Sequence, residues 1–468
     1  MNILTQTEGY IFLFLFAITM LIVTIIFTKK SKNYDSFIIS DRNIKWWIGA
    51  PSIAASWIWA PALFVSVQKA YELGLPGIFW FTVPNIIALA IFAILGPKIR
   101  QKLPNGYTLP NWIKYKFGKT VHKVYLVPFF WYQLMAVCVQ IFVGGMMLEF
   151  LTGIPLNTSM VLLSLIGLSY SLLSGLKASI VTDLVQIIMI FIVSLIIIPW
   201  VIYNAGGITA VENGLGGLIN NTNIFDPSIA FSFGIITSIG LLSGAISDQQ
   251  YWQRSFAIKE KDIKKSFIIG SLLFGLVPIT LSVLGFLAAN QDLNISLSSD
   301  VGLPMIGVAV VAKLLPAWAT ILFVIMLLAG LTSTLDSAYN AASSLYVSDI
   351  KNVPKKRESI IKEARYAMIG VAILGLILAL IVQHLFSLDR LWWIFNGVAM
   401  CFVVPTILSL FWNKLSEKSV IYSIVIASIG MIVFVYGNWI KDDILTVSSA
   451  VFMIIASLIV SWIFREKG

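Results

Sequence analysis

The chain has 468 residues, of which 58% are hydrophobic and only 12% charged, with a mean hydropathy of +0.90. That composition excludes a water-soluble domain, which needs more polar surface than is available here. The formal charge of +10 would point to nucleic acid only if the basic residues gathered on one folded surface. They fall between apolar runs instead, so the expected surroundings are a lipid bilayer and no nucleic-acid partner is expected.

A window of about 20 residues predicts spans at 10–28, 46–70, 74–96, 124–150, 155–176, 180–203 and 229–247. It continues with 266–289, 315–346, 366–388, 391–413, 419–437 and 444–464, about thirteen helices in all. Most of the 32 basic residues lie in alternate segments, at 29–45, 97–123, 174–179, 252–265, 350–365, 414–418 and 465–468. Positive charge marks the cytoplasmic side, so the reading is a multi-pass protein of the cell membrane with its N-terminus outside and its C-terminus inside. The first lysines, Lys29 and Lys30, follow the first apolar run instead of preceding it, so no cleavable signal peptide is expected. Cys138 and Cys401 fall in spans, His122 in a cytoplasmic loop and His384 near a helix end. A disulfide framework and a transition-metal site are both unexpected. The longest predicted loops run to about 25 residues, too short for a catalytic domain, so function must reside within the bundle.

Taken in chain order, the informative spans are those that are locally polar. The second contains "SWIWAPALFVSVQKAYELG", Ser56 to Gly74. Pro61 donates no N–H and its ring collides with the carbonyl four residues back. That frees carbonyls around Ala55 to Ile58, which lipid tolerates only where they line a polar cavity; a simple proline kink is the other reading. In the sixth span, Asp183 is a carboxylate at membrane depth, costly enough to mark a functional site. Gln186, three residues on, also fits a capping box at a helix start. The seventh span, "GLLSGAISDQQYWQR", is interrupted by Gly240, Ser243, Gly244 and Ser247 before Asp248. Two interrupted helices five spans apart point to a transporter of two related halves with its site between them. The ninth, "LAGLTSTLDSAYNAASSLYVSD", carries hydroxyls at Thr332, Ser333, Thr334 and Ser337 around Asp336. It reads either as a tightly packed helix or as the oxygen-rich wall that a hard cation requires.

Three motifs resemble the sodium:solute symporter family over nearly the whole chain. They are "GLKASIVTDLVQ", "YWQRSFAIKE" and "STLDSAYNAASS", in the family's order. The resemblance implies an all-α integral membrane fold with a five-plus-five inverted-repeat, LeuT-like core. Residues 46–203 would form the first repeat and 229–413 the second, separated by an extracellular loop at 204–228. An extra helix and a cytoplasmic loop, 1–45, would precede them, and two extra helices, 414–468, would follow. It also implies a coupling sodium ion held by the carbonyls of Ala55, Ile58 and Gly330 and the hydroxyls of Ser333 and Thr334, tuned by Asp183. Asp336 and Ser337 occupy positions that serve a second cation in some relatives.

For the substrate, "SWIWAPALFVSVQKAYELGLPGIFW" and "DQQYWQR" are similar to the urea-transporting branch. Ala62 stands where sugar-transporting relatives carry an amide, and Trp57 where proline-transporting ones carry an aspartate. The expected pocket has aromatic walls from Trp57, Trp59 and Trp393 beside Ala62, with polar tips from Ser247, Gln249, Gln250 and Asn396. Trp392 and Trp393 also fit an interfacial anchor. The expected function is sodium-coupled import of a small solute, urea or a similar polar molecule, or proline, by alternating access. Proton coupling on the same fold, a membrane sensor and an uncoupled facilitator are the alternatives. Because "FREKG" directly follows the last predicted span, a sensor with an output domain is not expected, and no enzyme motif or obligate protein partner is evident.

Overall fold

A computed structural model describes residues 4–27, 34–173, 175–295, 302–351, 357–385 and 388–466. Lys29, Lys30 and the last two residues of the basic tail lie outside the described residues, as does part of the 350–365 segment. Among the described residues the fold is helical, with one isolated parallel bridge, Ile44 to Ile258. Eleven helical runs are long and apolar enough to cross a membrane. Capping side chains start several helices where the sequence offers them. Thr108 accepts from Asn111 N ahead of Pro110, and Asp226 accepts from Ser228 N and Ile229 N ahead of Pro227.

The difference from the thirteen predicted spans has two sources. Leu156–Ser171 is a helix of 16 residues, short for a full crossing. The second and third spans share one helical run, Pro61–Lys102, interrupted at Gly74, where φ is 66° and ψ −146°. A Cβ at Gly74 would run into the backbone of Leu215 and Gly216. The 206–221 segment is clamped there, with Leu75 N donating to Leu215 O and Leu218 N to Tyr71 O, both at 2.9 Å. Gly74→Ala is therefore expected to destabilise the protein by more than the ~1 kcal/mol of an ordinary glycine substitution. The thermal midpoint of the purified protein in detergent checks this, and an unchanged midpoint would remove the clamp.

The basic stretch at 97–119, expected to be a loop, is largely helical. Phe92–Lys102 runs into it, and Leu109–Thr152 begins within it. That run of 44 residues would reach about 66 Å as one helix, twice the hydrocarbon thickness, and it is broken at Gly118, φ 85°. His122 is accordingly not a loop residue. It is buried, with Nε2 2.8 Å from Asp349 Oδ1. Cys138 and Cys401 are buried and unpaired.

The site is positioned by two enclosed helices, Leu109–Thr152 and Ala317–Leu345, which pack on each other and, in the second case, on Leu176–Asn204. Against this frame lie two helices that stop inside the protein. Trp46–Trp57 ends there, its neighbours being Leu176–Asn204 and Ile263–Ala289. The second, Ile236–Ser247, packs on Ser66–Ala90 and Leu388–Phe411. Glu417–Ile440 and Asp443–Ile463 pair with each other at the edge.

Candidate functional site

The first break falls where the proline chemistry predicts it. The helix stops at Trp57, Ile58 leaves helical geometry with ψ at 68°, and the chain re-enters at Pro61 as a wide turn through Val65. The interrupted backbone is held by side chains. Gln140 Oε1 accepts from Ala60 N at 2.9 Å, and Trp59 Nε1 donates to Ser56 O at 3.0 Å. The second break differs from the expectation. Gly240, Ser243, Gly244 and Ser247 lie in an unbroken helix, and the interruption is at Asp248, ψ 112°. Asp248 caps the short helix Gln249–Ala257.

At the first break the structure brings the six expected cation residues together. Ala55, Ile58, Ser333, Thr334 and Asp183 have no exposed surface. Thr334 Oγ1 donates to Ile58 O at 3.2 Å, and a Cβ on Gly330 would lie 3.4 Å from Ile58 Cγ2. Ser333 Oγ donates to Asp183 Oδ1 at 2.6 Å. Carbonyl and hydroxyl oxygens with one carboxylate nearby are a donor set suited to a hard monovalent cation such as sodium.

Asp183 does not cap a helix. Its helix begins at Leu176 behind Gly175, which puts the carboxylate two turns inside. It accepts from Ser333 Oγ, from Ser52 Oγ at 2.6 Å and from Arg254 Nη2 at 2.9 Å. Arg254 is the residue the sequence reading missed, having been counted with the cytoplasmic charge of 252–265. It is fully buried. Its Nη2 also donates to Ser337 Oγ at 2.9 Å, its Nε to Ser52 Oγ at 3.0 Å and its Nη1 to Gln250 O at 3.2 Å. The available signal was its isolation among Tyr251, Trp252 and Phe256, because an arginine within an aromatic run is buried only when paired.

Of the two residues marked for a second cation, Ser337 thus faces a guanidinium. Asp336 turns elsewhere, with Oδ1 accepting from Asn340 Nδ2 at 3.0 Å.

A small cavity lies beside the first break, lined by Trp57, Trp59, Ala62, Asn85, Tyr132 and Trp392 among others. Trp57 Nε1 donates to Asn85 Oδ1 at 2.7 Å. Trp392 lines it where Trp393 was expected; Trp393 stands behind, ring centroids 4.8 Å apart. Asn396 approaches from the same helix, and its Oδ1 would sit 2.7 Å from a Cβ on Gly244. Ser247 and Gln250 are buried near the second break, whereas Gln249 points away, donating to Tyr107 O at 3.1 Å. Asn85, Tyr132, Gln133 and Gln140 carried no signal in their own segments, because only the fold brings them to the breaks.

The sodium:solute symporter family model matches residues 37–430. The chain is 24% identical over 453 residues to the urea-proton symporter DUR3 of Oryza sativa subsp. japonica, covering 88% of this chain and 63% of that one. It therefore spans less than two thirds of the length of that relative, and 65% of a probable urea active transporter of Schizosaccharomyces pombe, to which it is 23% identical over 87% of its own length. With the sodium/pantothenate symporter of Haemophilus influenzae it shares 22% identity, covering 86% of this chain and 84% of the other. A solved structure of a sodium-coupled sialic acid symporter, bound to substrate and open outward, superposes with a TM-score of 0.78 over 98% of both chains at 19% identity. That likeness shows a shared fold. A match over most of its length, together with this fold, shows that the chain belongs to the sodium:solute symporter family.

Proposed function

We propose that the protein is a sodium-coupled secondary active symporter that imports a small polar solute, urea or a close relative of it, by alternating access. The observation that carries the reading is the meeting of the broken helix with the ninth span, Ile58 O with Thr334 Oγ1 and Asp183 with Ser333 Oγ. A sodium ion between Ala55, Ile58, Gly330, Ser333 and Thr334 would hold the broken helix against its frame. That favours one conformation, and differential binding of this kind is what lets an ion bias an equilibrium. The five-plus-five repeat and an outside N-terminus belong to the same reading. Urea is supported by the relatives named for urea and by the resemblance of the 56–74 and 248–254 stretches to the urea-transporting branch, proline by neither.

The driving force suffices. One sodium ion crossing 100 mV supplies about 2.3 kcal/mol and a tenfold gradient about 1.4 more, enough to concentrate a neutral solute roughly 500-fold. In proteoliposomes, labelled urea is expected to accumulate only with an inward sodium gradient, while labelled proline does not. Equilibration of urea without accumulation would mean a facilitator and would sink the coupling.

A second reading is proton coupling. It is favoured by Asp336, a buried carboxylate which, unlike Asp183, forms no ion pair among the described residues. Uptake at varied pH and fixed sodium separates the two, since a proton-driven carrier accumulates urea on a pH gradient alone.

A further inference from the structure

The second helix break holds a carboxylate that the cation site does not use. Asp248 has no exposed surface. Its Oδ1 is occupied twice, accepting from Gln250 N at 2.9 Å and from Gln133 Nε2 at 3.0 Å. Its Oδ2 is buried and accepts from nothing among the described residues, and the flanking Ser247 Oγ and Gln250 Oε1 are buried without partners among them as well. Capping the Gln249–Ala257 helix explains Oδ1 alone. A buried carboxylate oxygen without a donor is costly, and such an atom calls for a partner, whether ligand, ion or ordered water.

The surroundings tie this break to the aromatic cavity. Tyr251, three residues on, meets the Trp57 ring edge-on at 5.2 Å. Trp57 and Trp59 follow at 6.0 Å, then Trp59 and Tyr132 at 5.3 Å. Tyr132 adjoins Gln133, the residue bonded to Asp248. A chain of ring contacts therefore links the unpaired acceptors of the second break to the aromatic cavity beside the first, near where discontinuous helices of a transporter meet.

We propose that Asp248 is the polar anchor of the substrate site and that its Oδ2, with Gln250 Oε1, accepts from the N–H groups of a compact planar solute carrying two amino groups on one carbon, the urea and thiourea class. The inference rests on the transport reading above and deepens it. The acceptors select by what they would lose. A solute of similar shape whose nitrogens bear methyl groups leaves buried acceptors unpaired, and sites built on hydrogen bonds reject such analogues far more strongly than apolar pockets reject a methyl. Proline is refused for a different reason, because its carboxylate would be brought beside a second one.

The test is equilibrium binding of radiolabelled urea to the purified full chain in sodium, with thiourea, tetramethylurea and proline as unlabelled competitors. Sodium-dependent thermal stabilisation is measured in parallel against potassium. Thiourea is expected to compete and the other two to fail. Asp248→Asn keeps the helix cap and is expected to weaken urea binding about tenfold or more, the scale of losing a charged acceptor, with the sodium response intact. Gln250→Met, which deletes the second acceptor, is expected to weaken it several-fold. Wild-type urea affinity in both variants overturns the assignment, as does competition by tetramethylurea or absence of urea binding to the unmodified protein. Urea binding that depends on Asp248 in a protein that does not respond to sodium would uphold the anchor and defeat the sodium coupling.

Discussion

Arg254→Leu is expected to cost about 3–5 kcal/mol of stability, the usual result of removing one partner of a buried ion pair, and so to consume much of a typical folding free energy of 5–15 kcal/mol. Both members of the pair are sealed from solvent, at 2.9 Å. Deleting the guanidinium leaves buried Asp183 without a counter-charge and also strips donors from Ser52, Ser337 and the Gln250 carbonyl. Lysine is not a remedy, since a single ammonium cannot span the four oxygens that the planar fork reaches. The double variant Asp183→Asn, Arg254→Leu is expected to regain most of the loss, because no unpaired charge then remains. Monodisperse yield and thermal midpoint in detergent provide the readout. If Arg254→Leu matched wild type while the double variant was worse, the pair would not be the stabilising element.

The same pair explains where the sequence was legible and where it was not. The spans could be read because apolar length is a local property, and the Pro61 break because proline acts on its own turn. The interruption assigned to Gly240 through Ser247 was misplaced because small residues need not unwind a membrane helix. Gly244 lets Tyr132 and Asn396 approach closely and the helix runs on. The real break depends on Asp248, whose Gln133 partner comes from 115 residues away. Arg254 and His122 were misread for a common reason, since a charge count cannot tell a solvated loop from a buried pair. Both have their partners on distant helices, 71 residues off for Arg254 and 227 for His122. The cation residues were reachable only because a family resemblance supplied a non-local alignment that spacing alone does not contain.

Ser333→Ala is expected to raise the sodium concentration for half-maximal uptake by about 10- to 100-fold, the range of a lost charge-assisted contact of roughly 1.5–3 kcal/mol. The geometry also says how Asp183 contributes. At 2.6 Å the Ser333 hydroxyl gives its proton to Asp183, which leaves the lone pairs of Oγ turned outward and enriched in charge by the carboxylate behind them. Asp183 is thus expected to act on a bound sodium ion through Ser333, since its own oxygens are already taken by Ser52, Ser333 and Arg254. Thr334 differs, because its hydroxyl proton is spent on Ile58 O, a bond that an ion held by both oxygens would replace. Two consequences can be measured in a double-mutant cycle on sodium half-saturation, with thermal midpoints taken in parallel to separate folding losses. Asp183→Asn is expected to weaken sodium dependence in the wild-type background and to add little once Ser333 is alanine, whereas Thr334→Ala should add to either change nearly in full. Additive effects of Asp183→Asn and Ser333→Ala would instead make Asp183 a direct ligand, and would require Arg254 to leave it as the ion arrives.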